Sequence, residues 1–332
     1  MRLTKAHGHL KTDKGRVLYW YPPAFFFLKE TYMKISTSVE EQIEKLRSRG
    51  MKFQDESYAK EILLDIGYYR LGFYWFPFEK SYPQKENRTH ILKEESLFET
   101  CVELYNFDKG LRNILAGFLY DIEVNIRTKV IYYLSNRYKE NPMWFADNKI
   151  MMSKFVTEFE KKFYSEIRNN DVISRHLTNH QNDRYAPAWK TLEYVSFGDL
   201  IRIINNLRSP EARLEIFNCY GLNDDKTFPN YIDAIKQLRN HCAHAHPLYD
   251  YTMHKSLRAG KFKRVLKGVS DDIYHNLIGN LLVMQYFLFY LPNDKGNEFR
   301  AVVKNYINSR CTETIKPMVG YLREIPWLEG KI

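Results

Sequence analysis

The stretch from about Ser96 to Tyr138 constrains the fold more than any other part of the chain. Apolar side chains recur there at Leu97, Cys101, Leu104, Tyr105, Leu111, Ile114, Leu115, Phe118, Ile122, Ile126 and Val130. That spacing follows one helix face at 3.6 residues per turn, and strand-like alternation does not compete with it. Two forms are open: one very long helix, or two helices divided near Asp108-Lys-Gly110 with Asp108 capping the second. Asn141-Pro142 ends the pattern in either case.

Every other readable element is also helical. Ser38 and Glu41 form a capping box ahead of Val39, Ile43 and Leu46, and Gly50 supplies the stop. Ala59, Ile62, Leu63 and Ile66 share a face before Gly67. The aromatic run Gly67 to Phe78 reads either as a core-filling turn or as a base-stacking platform beside Arg70. Residues 80 to 95 read as a loop, and a helix is expected from about Lys149 to Ile167. His176 and His180 stand four apart with no third ligand at a suitable spacing, so they read as surface residues. Pro187 starts a short helix that stops near Gly198, and Asp199 begins the next. Asn230 with Asp233 is expected to cap a helix through Ile232, Ile235 and Leu238 that Pro247 ends. A last helix from about Ser270 to Tyr290 packs Ile273, Leu277, Leu281 and Met284. The fold class is therefore all-α.

Three regions follow from this pass. Residues 1–35 read as an extension, unstructured or mis-started: the segment Tyr19 to Leu28 is signal-like, but Pro22-Pro23 and a missing small-residue cleavage site weigh against a leader. Residues 36–255 form a helical body, with its core at about 96–255. Residues 256–332 form a basic linker and a C-terminal helical region.

Composition narrows the function classes. The chain has 332 residues, and 50 Lys and Arg against 40 Asp and Glu leave a net charge of +10, which favours RNA or another polyanion as partner. The segment Lys255–Lys267 contains basic residues and no acidic ones, so Lys261, Lys263 and Arg264 are candidate phosphate contacts, with a solvated turn as the alternative. Cys101, Cys219, Cys242 and Cys311 lie far apart and form no CxxC pair, which suggests a reducing, cytoplasmic setting. No apolar run of about twenty residues is present, so no membrane partner is expected.

The chemistry concentrates in Gln237 to Tyr249. His241, His244, His246 and Cys242 invite a metal reading, but ideal helix angles scatter them and the nearby sequence provides no paired acidic ligands, so no metal or cofactor is expected. Arg239 and His244 fit phosphate chemistry better: a guanidinium matches phosphate oxygens, and imidazole exchanges a proton near neutral pH. Five residues place them about 140° apart on an ideal helix, so a distorted helix end or two meeting chains would be needed. His246, seven residues from Arg239, shares its ideal face. Glu123 and Arg127, four apart on the long helix, are either an intrahelical ion pair or an element that orients Arg239 or RNA. Arg112 is open between packing and phosphate contact.

Taken in order, a set of blocks resembles the abortive-infection proteins of the AbiD/AbiF type, the Abi-like proteins, within the HEPN superfamily of helical, mostly RNA-cleaving domains. The blocks are Glu41-Gln42, Gly67-Tyr-Tyr-Arg-Leu71, Leu104-Tyr-Asn-Phe-Asp-Lys-Gly-Leu-Arg112, Ile122-Glu-Val-Asn-Ile-Arg127, Trp189 to Glu193, Phe197-Gly198 and Leu238-Arg-Asn-His-Cys-Ala-His244. They span about residues 38 to 255, and their order is more specific than any single block.

The resemblance implies a HEPN-like helical bundle with additional N-terminal and C-terminal helices. It also implies phage defence by a metal-independent endoribonuclease, in which Arg239, the polar Asn240 and His244 fill an Arg-x4-6-His motif. One motif per chain implies a homodimer, with the 2′-hydroxyl of RNA as nucleophile, and no DNA cleavage is expected. His241 departs from the apolar residue ordinary at its position, and His246 competes with His244 for the catalytic role. The alternatives are a non-catalytic module that holds a small non-coding regulatory RNA, as in RNA-based toxin–antitoxin pairs, or a scaffold that senses a phage product.

Overall fold

The computed structural model describes residues 10–11, 17–18, 35–263, 265–267 and 270–332. Leu10–Lys11 and Val17–Leu18 pair as two short antiparallel strands, and most of the expected 1–35 extension lies outside the described residues. Beyond these strands the architecture is all-α, as the periodicity predicts.

Helix α1 spans Val39–Ser48 and starts on the expected capping box, with Ser38 and Glu41 exchanging side-chain and backbone hydrogen bonds. Helix α2 spans Glu56–Asp65, and the Asp55 carboxylate accepts the amides of Ser57 and Tyr58. Ile43, Leu46, Ala59, Leu63, Leu71 and Trp75 form a small N-terminal core with Phe98, Cys101 and Val102 from the start of the next helix.

That helix, α3, runs unbroken for 40 residues from Phe98 to Arg137. It is one rod, the first of the two forms that the spacing leaves open, with no break at Asp108-Lys-Gly110. Asp108 sits buried in mid-helix, and Gly110 is there for packing: a Cβ on it would lie 2.0 Å from the Tyr306 hydroxyl, which donates to the Phe107 carbonyl at 2.9 Å. The first turn of α3 belongs to the N-terminal core, and Leu104 to Leu134 belong to the main core. One helix therefore joins the two.

The main core is built by helices laid against α3. The region expected as one helix over 149–167 is Ser153–Phe159, a π-helical Glu160–Tyr164 and a short turn to Ile167. It is followed by α4 (Asp171–Asn179), α5 (Phe197–Asn205) and α6 (Pro210–Asn218). Helix α7 spans Thr227–Ala243, α8 Leu277–Leu288 and α9 Lys295–Arg310. Helices α6 to α9 all contact α3, and every residue of α8 is buried. The main core thus runs across residue 255, where the sequence suggests a change of region. The expected last helix is shorter at its start, because Asn276 caps α8 through the amides of Ile278 and Gly279. Among the described residues, no helix is long and apolar enough to cross a membrane.

His176 departs from its surface reading. It is 7% exposed, its Nε2 lies 2.9 Å from the Asp183 carboxylate, and its ring stacks on His180 at 4.4 Å. The aromatic run 67–78 divides: Tyr74, Trp75 and Phe76 fill the core, while Tyr69 and Phe73 remain exposed.

Candidate functional site

Helix α7 begins three residues earlier than Asn230, because the Asp224 carboxylate accepts the amides of Lys226 and Thr227 at 2.8 and 2.7 Å. Asn230 and Asp233 are interior to the helix and do not cap it. The Asn230 side chain instead ties α7 to the following segment through Ser256 O and the Arg258 amide. Tyr231, Ile232, Ala234, Ile235 and Leu238 are buried, which fixes the rotation of the helix and leaves Arg239 and Asn240 at its accessible side.

The C-terminus of α7 is a Schellman motif. His244 is the cap residue, Ala245 adopts a left-handed φ of 54°, and the His246 amide donates back to His241 O at 3.0 Å. The Ala245 amide donates to Cys242 O at 3.2 Å. The helix therefore ends four residues before Pro247, and His246 does not share a helix face with Arg239 as ideal geometry suggests. Its ring lies 5.0 Å from that of His241 and 6.1 Å from that of His244.

The three histidines differ in environment. His244 and His246 are exposed. His241 is half-buried against Tyr251, and burial, reinforced by His246 and His254, pushes its pKa down to about 4. It is therefore neutral at pH 7. Among the described residues, no three His, Cys, Asp or Glu side chains gather as metal ligands. Burial raises the neighbouring Cys242 thiol to about 12, which keeps it protonated.

Arg239 is met from α3. Glu123 places Oε2 3.4 Å from Arg239 Nε, and its Oε1 accepts from Arg127 Nη2 at 2.9 Å. Arg127 is 7% exposed and also donates to the carbonyls of Leu192 and Val195 at 2.5 and 2.9 Å. The intrahelical pair forms, its carboxylate also faces Arg239, and the burial of Arg127 leaves that guanidinium no open face for RNA.

A second cluster lies under the segment after His244. Asp108 is fully buried, and its Oδ2 accepts the Leu248 amide at 2.6 Å and the Tyr249 amide at 3.4 Å. Tyr74 donates to the same oxygen at 3.3 Å, while Arg112 Nη1 donates to Tyr74 Oη at 2.8 Å and to His246 O at 3.2 Å. Burial outweighs these donors and pushes the Asp108 carboxyl up to about 6. Arg112 is 4% exposed, which places it on the packing side of its two readings, with no open face for a phosphate. Arg70 is exposed and donates to Ala245 O at 3.3 Å. The sequence hides this convergence, because Asp108 there looks like a helix cap.

The remaining candidates are spread out. Lys261 and Lys263 are exposed on either side of the buried Phe262, and Arg264 lies outside the described residues. Asn240 lines a polar groove of about 480 Å³ between α5 and α7, together with Arg202, Asp233, Lys236 and Lys255. Arg202 and Lys236 carry no motif, and only the packing of α5 on α7 marks them.

No curated protein and no solved structure matches the chain. A family model does, over residues 61–250. The matched segment covers more than half of the sequence and contains the Glu123–Arg239 contact, the Asp108 cluster and all three histidines of the α7 terminus. The chain belongs to the Abi-like protein family, the family of abortive-infection proteins.

Proposed function

We propose that this protein is a HEPN-type endoribonuclease of phage defence that works as a homodimer and cleaves RNA by 2′-hydroxyl attack. The observation that carries this reading is a guanidinium, Arg239, held by the Glu123 carboxylate on the helix that ends in the exposed His244. His244 accepts the 2′-hydroxyl proton as the 2′ oxygen attacks phosphorus. The P–O5′ bond breaks, and His244 of the partner subunit protonates the leaving oxygen. The products are a 2′,3′-cyclic phosphate and a 5′-hydroxyl, and atoms balance without an added reactant. Arg239 stabilises the charge that develops on the crowded phosphate, and Asn240, beside the polar groove, contacts the substrate. His246 assists by position.

The test is cleavage of an RNA oligonucleotide and of its analogue with one deoxyribose at the scissile nucleotide. Cutting of the RNA alone, lost in both Arg239→Ala and His244→Ala, is the expected result; equal cutting of the deoxy substrate overturns the mechanism. Light scattering at micromolar concentration should give twice the monomer mass. A double Arg239→Ala/His244→Ala protein that still protects cells from phage would move the function to RNA holding or to a scaffold.

A further inference from the structure

We infer that Asp108, Arg112 and Tyr74 are positioning residues for the histidines at the end of α7, gripping the backbone just beyond them while Arg70 grips it from the segment that follows α2. The inference rests on the functional reading above, and it gives these residues work that neither a helix cap nor a phosphate contact would.

The backbone after His244 needs external support. Ala245 turns it through a left-handed conformation, and Pro247 to Asp250 lie outside any helix. Distant side chains supply what helical hydrogen bonds do not. Arg70 holds Ala245 O, Arg112 holds His246 O, and Asp108 holds the amides of Leu248 and Tyr249. The Tyr249 hydroxyl returns the contact by donating to Phe73 O at 2.6 Å. Three chain regions, 70–74, 108–112 and 245–249, thus meet at one short segment.

Burial separates positioning from substrate contact. Asp108 and Arg112 are 0% and 4% exposed, so RNA reaches neither. The rings of His244 and His246, by contrast, are exposed, and their place relative to Arg239 depends on where the backbone is pinned. Displacing a proton-transfer group by about 1 Å can cost roughly 10²-fold in rate, so a clamp at this point bears on turnover rather than on binding.

The experiment compares Asp108→Asn and Tyr74→Phe with the full-length wild type. Steady-state RNA cleavage is measured alongside histidine ring NMR resonances and amide exchange at Leu248 and Tyr249. Asp108→Asn is expected to lower kcat by about 10- to 100-fold with KM within twofold, to speed exchange at both amides and to shift the His246 ring resonances. Tyr74→Phe keeps the ring packing and should show a smaller effect in the same direction, which keeps the test readable if Asp108→Asn does not fold. Faster exchange with unchanged kcat overturns the inference, and so does a rise in KM alone, which would make the cluster a binding element. If the wild type cuts no RNA, the functional reading fails by itself. The clamp is then judged by the NMR arm, where unmoved His246 resonances in both variants overturn it.

Discussion

Glu123 faces Arg239 with one carboxylate oxygen, Oε2 to Nε at 3.4 Å, and holds Arg127 with the other at 2.9 Å. Arg127 is in turn fixed to the carbonyls of Leu192 and Val195, so the accessible guanidinium of α7 faces a partly buried carboxylate on α3 that is itself held in place. Replacing Glu123 by Gln removes the charge and keeps the shape. Cleavage should fall about tenfold or more, and the urea midpoint should drop, since a charge-assisted hydrogen bond contributes roughly 1.5–3 kcal/mol. A protein of lowered stability with unchanged cleavage would assign Glu123 to structure alone.

The three histidines should separate by role. His244→Ala is expected to remove nearly all cleavage, roughly 10²-fold or more, because proton transfer is lost. His246→Ala should reduce it partly, and His241→Ala least, since His241 is half-buried and neutral at pH 7. Single-turnover rates with circular dichroism on each variant check the order. An inactive, folded His246→Ala beside an active His244→Ala would transfer the catalytic role.

The pH dependence of stability carries two opposed contributions. The folded state depresses His241 to about 4, so the unfolded chain takes the proton first, and this contribution is lost as pH falls from about 6.5 towards 4. Asp108 is raised to about 6, so its protonated form is favoured in the fold, and its contribution is lost as pH rises from about 3.8 to 6. Relative to wild type, His241→Phe should make stability fall with rising pH across this window, and Asp108→Asn should make it rise. Urea midpoints at pH 4.5, 5.5 and 6.5 measure both slopes, and parallel slopes in all three proteins would contradict the assignment.

Two small-residue exchanges should move stability in opposite directions. Ala245 holds a left-handed φ of 54° at the Schellman position, which costs an L residue about 1 kcal/mol, so Ala245→Gly should raise the melting temperature slightly. Gly110→Ala improves helix propensity but sets a Cβ 2.0 Å from the Tyr306 hydroxyl, and overpacking of about 1–3 kcal/mol should outweigh the gain. Thermal unfolding compares the two. A stabilised Gly110→Ala would mean that Tyr306 moves aside freely.

If the basic segment contacts RNA, neutralising Lys261, Lys263 and Arg264 together should weaken binding to every sequence and flatten its dependence on salt. Fluorescence anisotropy from 50 to 300 mM salt measures the slope, and an unchanged slope would leave these residues to solubility.

Local sequence determined the helices, because a helix face and its caps are set by neighbours a few residues apart. The repeat from Leu97 to Val130 foretold α3, and the Ser38–Glu41 box foretold α1. Side-chain chemistry and the order of the family-like blocks single out Arg239 and His244 as candidates, and four-residue spacing pairs Glu123 with Arg127. Tertiary structure decided what those residues face. Local spacing leaves one helix and a division at Asp108 both open, and the choice between them falls to Leu248 and Tyr306, some 140 and 200 residues away, which Asp108 and Gly110 meet. The face of His246 was likewise beyond local reasoning, since Ala245 leaves the helix early on a backbone that Arg70 and Arg112 hold from elsewhere. Burial did the rest: it turned Arg112 inward, made His241 neutral and raised Asp108, because the cost of a charge depends on what packs around it and not on the residues beside it in sequence.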